Sequence, residues 1–390
     1  MYQSQPDIGI FIRNLTEGGA ERVMLNLASG FEKKGVNVEI ILANAEGKFL
    51  DRVPKEIKVI NFNNPNLYGN NLYGKLKLPT GFQSLRSLPK LVNYLRQKKP
   101  KVLLSATHFP NEIAILSKKI AGVSTRIFVS EHTNISVEAK LVEQKSSRLL
   151  PLTTKLLYPF ADGVVAVSQG AADSLSSITR IAPKKVKVIY NPVITPELRL
   201  KMMESVENSW SETKEVPEVI GAGRFVAQKD FSTLIRAFAK VRQVRPVRLI
   251  MLGSGREEEK LRVLVQELGI EADVSWMGFV SNPFAYMKQA AVFVMSSVWE
   301  GFGNVLVEAM AVGTPVISTN CPSGPEEILA GGKYGELVPV GDSVSMAEAI
   351  LKVLSGQIKY VDSDWLKQFT WEAVTQKYLD FMDINLENTK

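Results

Sequence analysis

Cysteine occurs once in the 390 residues, at Cys321, and histidine twice, at His108 and His132. A single thiol excludes an internal disulfide and suits a reducing compartment. With so few soft ligands, no metal site built from His and Cys is expected. No run of 18 apolar residues is present, so no transmembrane helix is expected. The amino terminus, MYQSQPDIGI, lacks the basic start and continuous apolar stretch of a signal peptide, and a cytoplasmic protein is expected. The fingerprint GxGxxG is missing after the first strand-like run, where an NAD(P)-binding fold carries it. No interleaved aromatic and basic motif is found either, which argues against a nucleic-acid partner.

What is present describes an ordinary globular chain: 45% hydrophobic and 22% charged residues, with mean hydropathy +0.01. The length suffices for two domains with full cores. Charge is unevenly spread. Residues 1–200 hold 28 Lys+Arg against 15 Asp+Glu, whereas residues 201–390 hold 19 against 25. The basic front half points to an anionic partner, and with nucleic acid disfavoured an anionic membrane surface is the candidate. The segment Lys140 to Phe160, KLVEQKSSRLLPLTTKLLYPF, alternates basic and apolar clusters as an interfacial helix does. A core-packing helix with solvated lysines fits the same pattern.

Strand-like and helix-like runs alternate along the whole chain. Strands are expected at 8–13, 38–43, 102–105, 125–130, 163–167 and 185–189. Helices are expected at 20–34, 82–98, 110–121, 143–160 and 171–179. Residues 61–82, rich in Asn, Gly, Tyr and Lys, read as a long loop of the kind that is often functional. The polar, proline-bearing stretch 191–217 marks a boundary. The pattern then restarts, with strands at 218–222, 247–252, 273–277, 291–295, 315–319 and 335–338. The intervening helices are expected at 231–243, 257–268, 282–289, 305–312, 324–330 and 344–354, with a last one from Trp371. Strand and helix in alternation imply α/β architecture: two Rossmann-like, doubly wound parallel sheets, with ligands at the carboxyl ends of strands, in a central cleft.

Candidate ligand residues follow strands. Gly18 and Gly19 come after the first, where a glycine pair admits close backbone approach and opens a helix. Arg224 and Lys229, in GAGRFVAQKDF, come after the first strand of the second half and suit a diphosphate, Arg bidentately and Lys as a point charge. Both also read as solvated loop residues. His132 ends strand 125–130, and His108 follows strand 102–105 as the weaker candidate.

The most unusual stretch is SSVWEGFGNVLVEAMAVGTPVIS, from Ser296 to Ser318. Gly301 and Gly303 flank Phe302 in a loop leading into an apolar run that carries one charge, Glu308. Gly313 and Pro315 end that run as a helix of two to three turns. A buried carboxylate needs hydrogen-bond partners, and the amides opening the same helix favour an anion. A ligand with hydroxyls and phosphates would suit Glu300, Glu308 and these amides. Alternatively, Glu308 complements the helix dipole, worth about 0.3–1 kcal/mol.

Six motifs in register give the chain its resemblance. GGAER at 18–22, GRFVAQKDF with its Arg-x4-Lys spacing, LGSGREEEKL at 252–261, MGFV at 277–280, EGFGNVLVE with two glutamates eight apart, and CPSGPEEIL at 321–329 together resemble the retaining family 4 glycosyltransferases of the GT-B fold. The resemblance covers nearly the whole chain. It implies an acceptor-binding domain over 1–192, a nucleotide-sugar-binding domain over 193–370, and a final helix of about 371–390 packing back on the first domain. It implies roles as well. Glu308 would hold ribose hydroxyls, and Glu300 with the amides of Phe302, Gly303 and Asn304 would hold the transferred sugar. Arg224 and Lys229 would neutralise the leaving diphosphate, assisted by Gly18 and Gly19. His132 would lie near the donor sugar, although Glu131 before it is less usual. Gly253, Gly255, Phe279 and Val280 would flank the nucleotide, and Val305 and Glu327 would complete the donor site.

No cofactor is expected, and no metal, because protein cations take its place and neither loop holds a DxD-like cluster. GGAER with SEHTN and GPEEIL is similar to members that build lipid-linked oligosaccharides and surface polysaccharides. A nucleotide-sugar donor, with UDP as its nucleotide, and a lipid-linked or glycan acceptor at the cytoplasmic membrane face are therefore implied. Two other readings are a sugar-nucleotide epimerase of the same architecture and a non-catalytic nucleotide-binding protein. A glycosidase-like pair of carboxylates is rejected, because one of the two sits on an apolar helix beside a phosphate-type site.

Overall fold

The computed structural model describes residues 5–16, 18–62, 85–141, 148–205 and 216–384. The chain divides into two compact units, residues 1–192 with 371–390, and residues 193–370.

The first unit is built on seven strands: β1 (Ile8–Ile12), β2 (Val38–Leu42), β3 (Lys58–Asn61), β4 (Val102–Ala106), β5 (Arg126–Glu131), β6 (Gly163–Ala166) and β7 (Val186–Val188). They lie in the order β3-β2-β1-β4-β5-β6-β7, every neighbouring pair parallel. The central strands are buried throughout because helices cover both faces. Alternation along β1 divides its side chains: Ile8, Ile10 and Ile12 face one apolar cluster and Phe11 the other. The first cluster takes in the helices Gly19–Lys33 and Trp371–Met382, and the second takes in Ser87–Lys98 and His108–Ala121. On the Trp371–Met382 helix Val374, Tyr378, Leu379 and Met382 are all buried, each worth about 1.5–3 kcal/mol against exposure. That burial is what ties the carboxyl-terminal helix to the first unit.

The second unit carries β8 (Glu218–Ala222), β9 (Arg248–Leu252), β10 (Val274–Gly278), β11 (Val292–Met295), β12 (Val316–Thr319) and β13 (Glu336–Val338), in the order β10-β9-β8-β11-β12-β13 and again parallel. In each sheet the winding reverses once, between β1 and β4 and between β8 and β11. At such a switch point the loops leave neighbouring strand ends in opposite directions and open a crevice.

Differences from the sequence reading are local. β3 escapes the hydrophobic pattern because it is an edge strand whose residues are mostly exposed. The helices Ile135–Leu141, Pro196–Lys201 and Ser363–Leu366 are too short for a clear period. The helix after β4 begins at His108 rather than Pro110, which places His108 inside it. Nearly all of the expected 61–82 loop, and the part of the Lys140–Phe160 segment over 142–147, lie outside the described residues.

Candidate active site

In the second unit, the loops that leave β8, β11 and β12 are stitched together at the switch point. Gln228 Nε2 donates to the Trp299 carbonyl (2.9 Å), and Val298 N–H donates to the Gln228 carbonyl (2.8 Å). The Ser296 hydroxyl donates to the Lys229 carbonyl (2.9 Å). Thr319 Oγ1 donates to the Ser297 carbonyl (2.6 Å), and Glu300 N–H donates to the Pro322 carbonyl (3.2 Å). This framework brings Lys229 Nζ onto Glu300 Oε1 as an ion pair, with side-chain exposures of 18% and 7%. The same carboxylate oxygen accepts from the Ser297 hydroxyl at 2.6 Å. Arg224, two residues past β8, is exposed. One cation is therefore held in place and the other extends into solvent. Burial, and next the charge of Glu300, push the neighbouring Cys321 thiol up to about 12, so it stays protonated.

The helix predicted after the EGFGN loop spans Asn304–Ala311. Its N-cap, Gly303, has φ 105° and supplies no side-chain cap. Glu308 is the fifth residue of this helix and is buried, with 4% of its surface exposed. A carboxylate in the second turn lies beyond the reach of the dipole effect, which fades within the first. The dipole reading of Glu308 therefore fails. Phe302 is buried against Phe369, ring centroids 5.9 Å apart, which leaves its backbone as the part that a ligand can meet. Asn304 and Val305 are partly exposed at the helix start, and Glu327 is partly exposed on the short Pro325–Ile328 helix. Gly324 has φ 105°, and a Cβ there would lie 1.7 Å from the Phe302 carbonyl oxygen, so only glycine lets the two loops meet.

Gly253 and Gly255 follow β9 and carry the loop of Arg224. Gly223 N–H donates to the Leu252 carbonyl and Phe225 N–H to the Ser254 carbonyl, both at 2.9 Å. A Cβ at Gly253 would lie 1.9 Å from the Gly223 carbonyl oxygen, and one at Gly255 would lie 2.3 Å from that of Phe225. Close packing of two backbones already explains why both are glycine. Phe279, 48% exposed, and the partly exposed Val280 follow β10.

In the first unit Gly18 is the N-cap of the Gly19–Lys33 helix and again provides no side-chain cap. Glu21 lies in the first turn, its carboxylate close enough that a Cβ on Gly18 would sit 2.0 Å from Oε2. That helix start already faces one carboxylate of its own, at the N3 position, where an acidic side chain complements the helix dipole.

His132 sits one residue past β5. Part of the residue reaches the surface, but its ring is packed inward and burial pushes its pKa down to about 4, which makes it a neutral imidazole near pH 7. Its Nε2 is 3.0 Å from Ser130 Oγ. The preceding Glu131 is buried and accepts from the Tyr158 hydroxyl (2.7 Å) and from His132 N–H (3.1 Å). Burial is the largest influence on Glu131 and raises it to about 7, against the opposing pull of His108. His108 is a buried residue whose Nε2 is 2.9 Å from Glu112 and 3.1 Å from Thr153 Oγ1. Burial opposes its charge, but Glu112, Glu131 and Glu138 together raise its pKa.

Sequence reasoning missed Ser297, which orients Glu300, and Ser130, Asn111, Tyr158 and Tyr378 around His132. Asn111 Nδ2 donates to the Ser130 carbonyl and to the Tyr158 hydroxyl, both at 3.0 Å. The available signal was a polar residue inside an otherwise apolar element, as at Ser130 in β5 and Asn111 in its helix. Among the described residues no group of three or more His, Cys, Asp or Glu side chains is placed to hold a metal ion, and no helix is long and apolar enough to cross a membrane.

Residues 203–364 match the family model of glycosyl transferases group 1, and residues 17–196 match that of glycosyltransferase family 4. The chain is 31% identical, over 89% of its length and 90% of the relative's, to the N-acetylgalactosamine-N,N'-diacetylbacillosaminyl-diphospho-undecaprenol 4-alpha-N-acetylgalactosaminyltransferase of Campylobacter jejuni. It is 28% identical to the lipopolysaccharide core biosynthesis glycosyltransferase LpsE of Rhizobium meliloti, over 94% and 96% of the two chains. Among solved structures, Anabaena HepE, determined with UDP and glucose, superposes with a TM-score of 0.76 at 21% identity, over 97% of this chain and 100% of that one.

Proposed function

Because this chain belongs to the group 1 and family 4 glycosyltransferases, we propose that it moves a hexose or N-acetylhexosamine from a UDP-sugar to a lipid-linked or glycan acceptor, with retention and without a metal ion. The protein is a glycosyltransferase of the GT-B fold, with two Rossmann-like units. The observation that carries the finer reading is the Lys229–Glu300 pair, fixed at the switch point of the second unit beside the helix that bears Glu308.

Breaking a sugar–diphosphate bond leaves negative charge on the departing oxygen, and groups already aimed at that charge lower the barrier most. Arg224 and Lys229 are assigned to the diphosphate, which is why no metal is needed. Glu308 accepts from the ribose hydroxyls. Glu300, turned by Ser297, accepts from the sugar hydroxyls, and the Phe302–Val305 backbone with Glu327 completes the donor site. Phe279 and Val280 flank the base, and Gly253 and Gly255 hold the Arg224 loop. In the first unit Gly18 and Gly19 present amides, and His132 acts as a neutral imidazole toward the donor sugar. Retention follows from attack by the acceptor on the face that the diphosphate leaves, with the departing phosphate taking the proton.

A lipid-linked acceptor at the cytoplasmic face of the membrane is supported by an inside-out helix. Leu150–Leu157 buries Leu150 and Thr154, while Leu152 and Leu156 are 54% and 59% exposed. Leu149 and Phe160 extend the apolar face, with Lys155 between and Lys119 Nζ 3.0 Å from the Phe160 ring centroid. Apolar side chains turned outward among cations are what an anionic bilayer surface accepts. The name of the Campylobacter jejuni relative, with its diphospho-undecaprenol acceptor, agrees with this choice.

The deciding experiment incubates the protein with UDP-hexoses and UDP-N-acetylhexosamines and with polyprenyl-diphosphate-linked saccharides. Release of UDP together with an extended acceptor is expected. A folded protein that releases no nucleotide with any combination would refute the proposal.

A further inference from the structure

Ser130 Oγ lies 3.0 Å from His132 Nε2 and 3.1 Å from the Tyr378 hydroxyl. Ser130 belongs to β5 and Tyr378 to the Trp371–Met382 helix, 248 residues further along the chain. Both are buried, at 0% and 1% exposure. A serine hydroxyl has one proton to give and two lone pairs to receive, so two proton arrangements run as a chain through these contacts, while a third, with Ser130 accepting from both neighbours, strands the serine's own proton in the core. In the first, Tyr378 donates to Ser130 and Ser130 donates to Nε2, which leaves the imidazole proton on Nδ1. In the second, Nε2–H donates to Ser130, which donates to the Tyr378 oxygen. Ser130 is the only hydrogen-bond partner of that phenol among the described residues, so the second arrangement strands its proton inside the core. A buried donor without an acceptor is costly, and the first arrangement avoids it, because the proton it leaves on Nδ1 belongs to a residue that is partly exposed. Burial also holds the Tyr378 hydroxyl well above its ordinary pKa, which keeps it a donor.

The other ionisable groups nearby do not compete for the ring. The Glu131 carboxylate is occupied by the Tyr158 hydroxyl and by the backbone N–H of His132. Burial leaves the imidazole uncharged near pH 7, so the question is only which nitrogen carries the proton.

We propose that Tyr378 and Ser130 are positioning residues that lock His132 as the Nδ1–H tautomer, so that the ring offers the donor sugar a hydrogen-bond donor rather than an acceptor. The link to the donor sugar rests on the function proposed above, whereas the tautomer does not. The Trp371–Met382 helix thus sets the chemistry of a residue just past β5.

With only two histidines in the chain, the test is direct. Protein labelled with ¹⁵N-histidine is studied by long-range ¹H–¹⁵N correlation at pH 7 without substrate, as wild type, Tyr378→Phe and Ser130→Ala, with His132→Asn to identify the signals. The wild type is expected to show protonated Nδ1 and unprotonated Nε2 at His132, and both variants a tautomeric mixture. In UDP-sugar turnover both variants are expected to lose about tenfold in kcat with KM little changed. An Nε2–H tautomer in the wild type, or an unaltered Nδ1–H spectrum in both variants, overturns the proposal. Absence of sugar transfer by the wild type would refute the activity and leave the tautomer result intact, so the two failures are distinguishable.

Discussion

Lys229 and Glu300, 71 residues apart in sequence, meet as an ion pair between the loops that leave β8 and β11. The cation assigned to the diphosphate is thus already matched by the carboxylate assigned to the sugar. Glu300→Gln keeps a hydrogen-bond acceptor but removes the negative charge beside the phosphates. We expect UDP to bind several-fold tighter, since about 1 kcal/mol of repulsion at this range corresponds to roughly fivefold. Turnover is expected to fall by more than about 100-fold. Titration calorimetry with UDP reads the first effect, and weaker binding by the variant would contradict the assignment.

The two cations should separate catalysis from stability. Arg224 is exposed, so Arg224→Ala is expected to change stability by less than about 0.5 kcal/mol while lowering kcat/KM by about 10²–10³. Lys229→Ala also abolishes turnover but leaves the buried Glu300 without its cation, so its melting temperature should drop by several degrees. Equal melting temperatures for the two variants would show that the pair contributes nothing to the fold.

Glu308→Gln is nearly isosteric on the Asn304–Ala311 helix, and a folded variant is expected. Its loss should appear as weaker UDP binding, because a neutral amide is a poorer acceptor for two ribose hydroxyls, by about tenfold. Unchanged affinity would remove Glu308 from the nucleotide site.

Gly324→Ala tests the stitching of the β11 and β12 loops. Its Cβ would meet the Phe302 carbonyl at 1.7 Å and its φ is 105°, so a loss above about 2 kcal/mol is expected. A melting temperature within about a degree of wild type would refute that geometry.

Vesicle sedimentation tests the inside-out helix. Wild type is expected to bind vesicles containing phosphatidylglycerol and to release them at high salt. Leu152→Ser with Leu156→Ser should weaken binding about tenfold or more without loss of stability, since both leucines are more than half exposed. Binding unaffected by the double substitution would place the contact elsewhere.

Glu131 gives a pH-dependent prediction. Its carboxyl is raised to about 7 from 4.5, chiefly by burial, so the folded state binds its proton more tightly than the unfolded chain does. The stability it contributes is full below pH 4.5 and is lost as pH rises to 7. His132, lowered to about 4, acts in the opposite sense, adding stability as pH rises from about 4 to 6.5. Glu131→Gln removes the first effect together with the part of the His108 rise that Glu131 supplies, which runs in the same sense, so its melting temperature relative to wild type should climb between pH 5 and pH 7. A flat difference would mean that Glu131 is not a buried acid.

Much of this was legible in the sequence because buried parallel strands are continuous apolar runs, and β1, β2 and β4 show that directly. The edge strand β3 was not, since its residues are mostly exposed and its apolar pair, Val59 and Ile60, is too short to read as a buried run. Arg224, Lys229, Glu300 and Glu308 were legible as charges placed just after strands or inside an apolar helix. What they touch was not. The bond from Ser297 to Glu300 depends on a loop conformation, and that from Tyr378 to Ser130 on two elements meeting across most of the chain. No local pattern records either.

The first unit is assembled from both ends of the chain, residues 1–192 and 371–390. During synthesis its sheet emerges well before the helix that covers one face of it. At roughly 5–20 residues per second the intervening Val193–Thr370 segment delays that helix by about 10–40 s. Through this interval the pocket around Phe31 that later receives Tyr378, ring centroids 6.4 Å apart, stands open at the ribosome. The order of synthesis therefore leaves this face of the first sheet to be covered last, when the segment after Thr370 arrives.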